Sequence, residues 1–215
     1  STVDTLPSAI DLKHPISETM LEGIDKPKCT YVVSKSESEQ VVEQAIARGL
    51  DATIIHPGFM LGPYDWKPSS GRMMLEVHRA PIVAAPPGGC SVCDARDVAK
   101  AVVNAIDQSR SGEHYILAGE NMSYRDLWTQ MLNTTGRQRR VYGLGKRLCW
   151  IGSGIDWCNR AGLMREGDVN GASILMGSIY HYYDSSKARR ELDYQPRPLN
   201  ETLIDAWDWL SAKFL

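Results

Sequence analysis

The feature that most constrains this chain is its alternation of short apolar runs with longer stretches of helical period. Residues 52–56, within "DATIIHPGFMLGP", form one apolar run, broken by Pro57 and Gly58, and "EHYILAG" at 113–119 forms another. Between them "SSGRMMLEVHRA" reads as a helix, and "DARDVAKAVVNAIDQ" starts a further one at Asp94, with Val98, Val102 and Ile106 at spacings of four. Ahead of the first run, residues 34–48 place Val41, Val42, Ala45 and Ile46 on one helical face and stop at Gly49. Past the second run, Ser123 and Asp126 match a capping box that opens "SYRDLWTQMLNTTG". A last pair of helices is expected after Asp184 and Asn200, both suited to N-caps, with "PRP" between them. Strands alternating with helices at this spacing fold as α/β units around a parallel sheet. Only two strands are convincing, whereas such sheets usually hold about five, so the expectation is part of a sheet.

Composition narrows the function. The 215 residues are 43% hydrophobic and 23% charged, ordinary for a globular protein, with a formal net charge of −2 and no long Lys/Arg block. That balance speaks against a nucleic acid or an anionic membrane as the main partner and for a small molecule. No stretch approaches the roughly 18 apolar residues of a membrane span, and residues 1–10 lack the basic and apolar regions of a signal peptide, so a cytoplasmic location is expected. The cysteines Cys29, Cys90, Cys93, Cys149 and Cys158 are odd in number and scattered, which suits reduced thiols. Cys90 and Cys93 make a C-x-x-C without a second pair or a His-x-x-x-His, so no metal is expected, and no histidine, His56 included, has a triad pattern. There are no internal repeats.

"TYVVSKSESEQVVEQ", residues 30–44, sets Tyr31 and Lys35 four apart at the front of a helix, on one face. Such a pair can be a solvated turn. It can also be a proton-transfer device, because a nearby ammonium favours the phenolate and so makes an otherwise poor acid/base useful at neutral pH.

The chain resembles the extended branch of the short-chain dehydrogenase/reductase superfamily, the NAD-dependent epimerase/dehydratase and dihydroflavonol-reductase-like proteins. The resemblance runs from residue 1 to about 212 through five motifs in order: "STVDTLP", "YVVSK", "HPGFMLGP", "CDARDVAKAVVNAI" and "DSSKARRELDYQPRPLNETLIDAWDWL". It implies NAD or NADP as cofactor, with Tyr31 as the acid/base and Lys35 on the nicotinamide ribose. It places Thr2, or its rival Ser1, on the hydroxyl that orients the substrate oxygen. Pro57, Gly58, Phe59 and Met60 match the turn that passes the nicotinamide, where Gly58 would allow close approach. Ser69 and Ser70 are candidates for cofactor and substrate contact, and Tyr64 and Trp66 for the substrate pocket. Arg96 and Asp97 read as a cap and an ion pair. His56 stands where the wider family often has arginine, and a homodimer through the helix starting near Tyr31 is possible in such proteins.

One departure matters. The family's G-x-x-G-x-x-G turn between first strand and first helix is missing, and the G-x-G at Gly143 and Gly145 follows no convincing strand and reads as loop. Roughly a hundred residues, several βαβ units, precede the Ser/Thr segment in relatives. The expectation is therefore the C-terminal half of a Rossmann-type doubly wound parallel α/β sheet with a smaller, mainly helical lobe. Its catalytic segment would be about 1–60 and 90–120, and its substrate lobe about 61–89 and 120–215. Such a chain is expected to bind cofactor poorly and to have little activity alone, with NAD or NADP preference set upstream. The activity expected of the enzyme is hydride transfer, leaning through "FMLGPYDWKPSSGRMM" to reduction of an apolar ketone. A nucleotide-sugar epimerase or dehydratase and a non-catalytic relative are the alternatives.

Overall fold

The computed structural model describes residues 1–20, 29–145 and 176–215. Cys149 and Cys158, and most of the Gly/Trp/Met-rich stretch after Gly145, lie outside the described residues. The helices are α1 (Thr30–Ile46), α2 (Ser70–Arg79), α3 (Ala95–Gln108), α4 (Tyr124–Thr134), α5 (Ser186–Glu191) and α6 (Leu199–Phe214). The strands are β1 (Ile54–Pro57), β2 (Phe59–Leu61), β3 (Val83–Ala85), β4 (Gly89–Asp94), β5 (His114–Leu117), β6 (Glu120–Ser123), β7 (Val141–Gly143) and β8 (Tyr180–His181). The sequence had suggested only the first and fifth of these.

β1 lies parallel to β5, with His56 opposite Ile116. After Gly58 the chain continues as β2, parallel to β4, and after Gly119 as β6, antiparallel to β4. β4 also takes β8 alongside its first residues, and all six of its residues are buried. β3 and β7 form a separate parallel pair. Gly143 therefore ends a strand, although the sequence around it reads as loop.

Both faces of β5 are covered, as expected of a parallel strand. Tyr115 and Leu117 face α3 and α5, while Ile116 joins Val3, Leu6, Ile16, Tyr182 and Tyr183 on the other side. The largest core packs α2, α4 and α6 on β2 and β4 through Met74, Leu75, Leu127, Met131, Leu203 and Leu210.

Local signals explain the helix starts. Asp94 caps α3 by accepting from Arg96 N, and Ser123 caps α4 by accepting from Asp126 N. Asp184 accepts from Ser186 N and Oγ at the start of α5. Three expectations fail. α3 buries Val98, Ala101 and Ala105, leaving Val102 and Ile106 at 41% and 79% exposed, because bulky Tyr115, Leu192 and Tyr194 opposite leave room only for small side chains. α6 begins at Leu199, whose burial draws Asn200 inside the first turn, and Pro198 holds the N-cap position instead. α1 buries only Val32 and leaves Val41 exposed, so its seat on the sheet is largely polar.

Candidate active site

A cavity of about 530 Å³ opens where β1 turns into β2, between the N-terminal segment, the start of α1 and β4. Ser1, Thr2, Tyr31, Pro57, Gly58, Phe59, Met60, Ser69 and Ser70 all line it, so residues spread over seventy positions of sequence meet at one place. Thr2 is buried and N-caps a 3-10 turn, Val3–Thr5, accepting from Asp4 N at 3.3 Å and donating to Asp4 Oδ2 at 3.2 Å. Ser1 Oγ turns away and donates to Glu39. Tyr31, in the first turn of α1, is 52% exposed, so its phenol stays open to a ligand and to water.

Lys35, one turn on, faces an adjoining cavity of about 210 Å³ with Ser38, Glu39, Val42 and Thr53, and Ser1 borders both spaces. Tyr31 and Lys35, four residues apart on α1, thus border neighbouring spaces that share Ser1. One sequence reading changes here. Tyr64 and Trp66 do not line the cavity: Gly62 and Tyr64 adopt positive φ (148° and 70°) and turn their loop towards α6, where both rings pack edge-on against Trp209. Gly58, on the cavity wall, also packs tightly: a Cβ there would stand 2.5 Å from the Ser91 carbonyl oxygen of β4.

The cavity also holds residues that sequence reasoning missed: Asp4, Cys29, Cys90, Ser91, Tyr124 and His181. Four of them reach it through the pairing of β4 with β6 and β8, a long-range event with no local signature. His181 donates through Nε2 to Met176 O at 3.1 Å, and burial lowers its pKa against the opposing pull of Asp4, whose Oδ1 is 3.3 Å from Nδ1. Tyr124 is 8% exposed, and burial pushes its phenol well above the usual range, so it stays neutral, whereas Tyr31 is the exposed phenol of the cavity. Arg96 and Asp97 stand elsewhere: Arg96 grips Asp94 and Asp205, and Asp97 grips Arg197. Among the described residues no cluster of His, Cys, Asp and Glu could hold a metal, and no helix is long and apolar enough to cross a membrane.

A parallel α/β sheet with a tyrosine-bearing helix over the cavity at its strand ends defines a Rossmann-type protein. A family model of NAD-binding proteins, described as "Male sterility protein", matches residues 6–91. The chain is 30% identical over 194 residues to sterol demethylase protein B of Methylococcus capsulatus, covering 87% of this chain and 58% of that protein. It is 28% identical over 202 residues to a putative dihydroflavonol 4-reductase of Synechocystis, covering 89% of this chain and 57% of the relative. A solved nucleoside-diphosphate-sugar epimerase from Pseudomonas aeruginosa has the same fold, with a TM-score of 0.82 at 21% identity over 100% of this chain and 66% of its own. The chain is similar over most of its length to proteins of the extended short-chain dehydrogenase/reductase superfamily, whose members include NAD(P)-dependent reductases, epimerases and dehydratases. It spans somewhat more than half the length of the curated relatives it matches. Solved structures of the same fold carry NADPH or NAD.

Proposed function

We propose that this chain supplies the acid/base and the substrate side of an NAD(P)-dependent oxidoreductase that reduces an apolar ketone. The observation that carries the reading is the single cavity at which Tyr31, Thr2, residues 57–60 and Ser69 and Ser70 meet. The donor set suits the nicotinamide end of the cofactor. Lys35, facing the adjoining space, offers an ammonium to ribose hydroxyls, and the turn at 57–60 offers a wall of backbone and apolar side chain. The nicotinamide, when bound, supplies the hydride. Tyr31 donates its phenolic proton to the carbonyl oxygen as that oxygen becomes an alcohol, and Lys35 stabilises the phenolate left behind. Thr2, with Ser1 as the alternative, orients the same oxygen. In this reading residues of about 1–60 and 90–120 form the catalytic segment, and about 61–89 and 120–215 form the substrate lobe.

Phe59, Met60, Val3 and Met176 give the cavity an apolar side, which suits an apolar ketone better than a sugar. The names of the two curated relatives, one concerned with a sterol and one with a dihydroflavonol, support the same class. The test is turnover. Tyr31→Phe in the enzyme, with the residues that precede this chain in its relatives present, is expected to lower NAD(P)H-dependent ketone reduction by about 10²-fold or more. Enhancement of NADH or NADPH fluorescence is expected for that longer protein and little for the chain alone. Undiminished turnover after Tyr31→Phe, or indifference of the longer protein to both cofactors, would overturn the reading.

A further inference from the structure

α1 meets β1 and β5 through a polar ladder. Glu39 and Glu43, one helical turn apart, stand over His56 of β1 and His114 of β5. Glu39 Oε1 lies 2.7 Å from Thr5 Oγ1 and 3.5 Å from His56 Nδ1, while Glu43 Oε1 is 3.7 Å from His114 Nε2. His56 is fully buried, its Nδ1 is 3.2 Å from the Thr2 carbonyl oxygen, and its Nε2 is 2.9 Å from His114 Nδ1. The two imidazoles stack with centroids 5.2 Å apart.

The contacts at Nδ1 fix one proton of His56. A carbonyl oxygen only accepts, so His56 Nδ1 carries the proton and donates to Thr2 O. Neutral His56 then presents a lone pair at Nε2, and His114 Nδ1–H donates to it. A second proton on His56 would occupy Nε2 and reverse that bond, with His114 Nδ1 accepting and its own proton on Nε2 towards Glu43. The charged and titratable groups facing His56 are Glu39 from α1, His114 from β5 with Glu43 behind it, and the Ser1 amino group from the segment ahead of the 3-10 turn. Burial outweighs the pull of Glu39 and lowers the pKa of His56 to about 4.

We propose that His56, as its Nδ1–H tautomer, is a positioning residue of the cavity. It ties the Thr2 carbonyl to the sheet and seats Glu39, and so fixes the first turns of α1, with Tyr31, against the segment that carries Thr2. His56 does not line the cavity itself. Its importance for turnover rests on the reading of Tyr31 as acid/base, but the arrangement belongs to the chain alone.

The test uses the chain, without turnover. With ¹⁵N-labelled histidine, the His56 resonances are expected to show the neutral Nδ1–H tautomer from pH 7.5 down to 5. His56→Phe, which removes the donor, is expected to speed amide exchange in residues 30–36 by about tenfold, and His56→Asn, whose amide can still donate to Thr2 O, to restore it to within about threefold. An Nε2–H tautomer, titration near the ordinary histidine range, or equal exchange in the Phe and Asn variants would overturn the proposal. The tautomer is read on the unsubstituted chain, so the test holds even where a variant does not fold. Failure here leaves the Tyr31→Phe result free to stand, and the reverse is equally true.

Discussion

Arg197 grips Asp97 across a hundred residues of sequence. Nη2 is 2.6 Å from Oδ1, Nε is 3.1 Å from both oxygens, and the Arg197 backbone N donates to Oδ2 at 2.8 Å. The carboxylate lies in the first turn of α3 and the arginine on the approach to α6, so this pair closes the C-terminal segment onto the sheet. Asp97 is 10% exposed and Arg197 27%, which removes much of the solvent screening that weakens a surface pair. Asp97→Asn keeps an acceptor but drops the charge, and is expected to cost about 2 kcal/mol by urea unfolding. Asp97→Ala is expected to cost more, because the backbone N–H loses its partner and the guanidinium keeps only Asp94, at 3.5 Å.

The buried imidazole of β1 makes stability depend on pH. His56 titrates at about 4 when folded, against about 6.5 for a free histidine. Between those values the unfolded chain binds more protons than the folded one, so unfolding free energy rises with pH across that window. The contribution is complete above about pH 6.5 and is lost as pH falls through the folded value. Urea midpoints between pH 7 and 4.5 are expected to drop in the parent chain, and His56→Asn is expected to remove about 2 kcal/mol of that drop. An identical pH slope in parent and variant would show that another group controls acid unfolding.

How much of this was legible depended on whether the cause was local. The caps at Asp94 and Ser123 were readable because each is a bond between residues two or three apart. β4 was not, since all six of its residues are buried and no alternation can show, and its two cysteines, glycine and serine carry little strand preference. Its identity comes from partners thirty and ninety positions away in β6 and β8. The cavity divides the same way. Tyr31, Pro57, Phe59, Met60, Ser69 and Ser70 belong to contiguous motifs and could be named, whereas Ser91, Tyr124 and His181 are brought in by sheet pairing. Tyr64 and Trp66 misled because their aromatic character fits a pocket and a surface packing site equally well, and the backbone turn at Gly62 decides between them.

Two glycines press against adjacent carbonyls of β4. A Cβ on Gly58 would meet Ser91 O at 2.5 Å, and one on Gly119 would meet Val92 O at 1.9 Å. Both obstacles are backbone atoms in a strand paired on each side, so neither can rotate away. Gly58→Ala is expected to destabilise by about 1–3 kcal/mol and Gly119→Ala by about 3 kcal/mol or more. At Gly145, where nothing lies within 4 Å, alanine is expected to change stability by no more than about 0.5 kcal/mol. Chemical denaturation of the three variants checks the order.

The thiols should separate by burial. Cys90 and Cys93 are 2% and 3% exposed; burial raises the pKa of both and takes Cys93 to about 12. Attack on an alkylating reagent requires the thiolate, so at pH 8 each is both protonated and shielded. Cys29 is only half-buried and lies at the edge of the cavity beside Tyr31. Iodoacetamide labelling followed by peptide mapping is expected to modify Cys29 at least about a hundredfold faster than either strand cysteine. Cys90 and Cys93 should become reactive only in urea, because the openings that expose them are those that dismantle β4. Labelling of Cys90 at the rate of Cys29 in buffer would mean that β4 opens to the cavity without unfolding, and the wall on which Ser91 and Gly58 pack would then not be rigid.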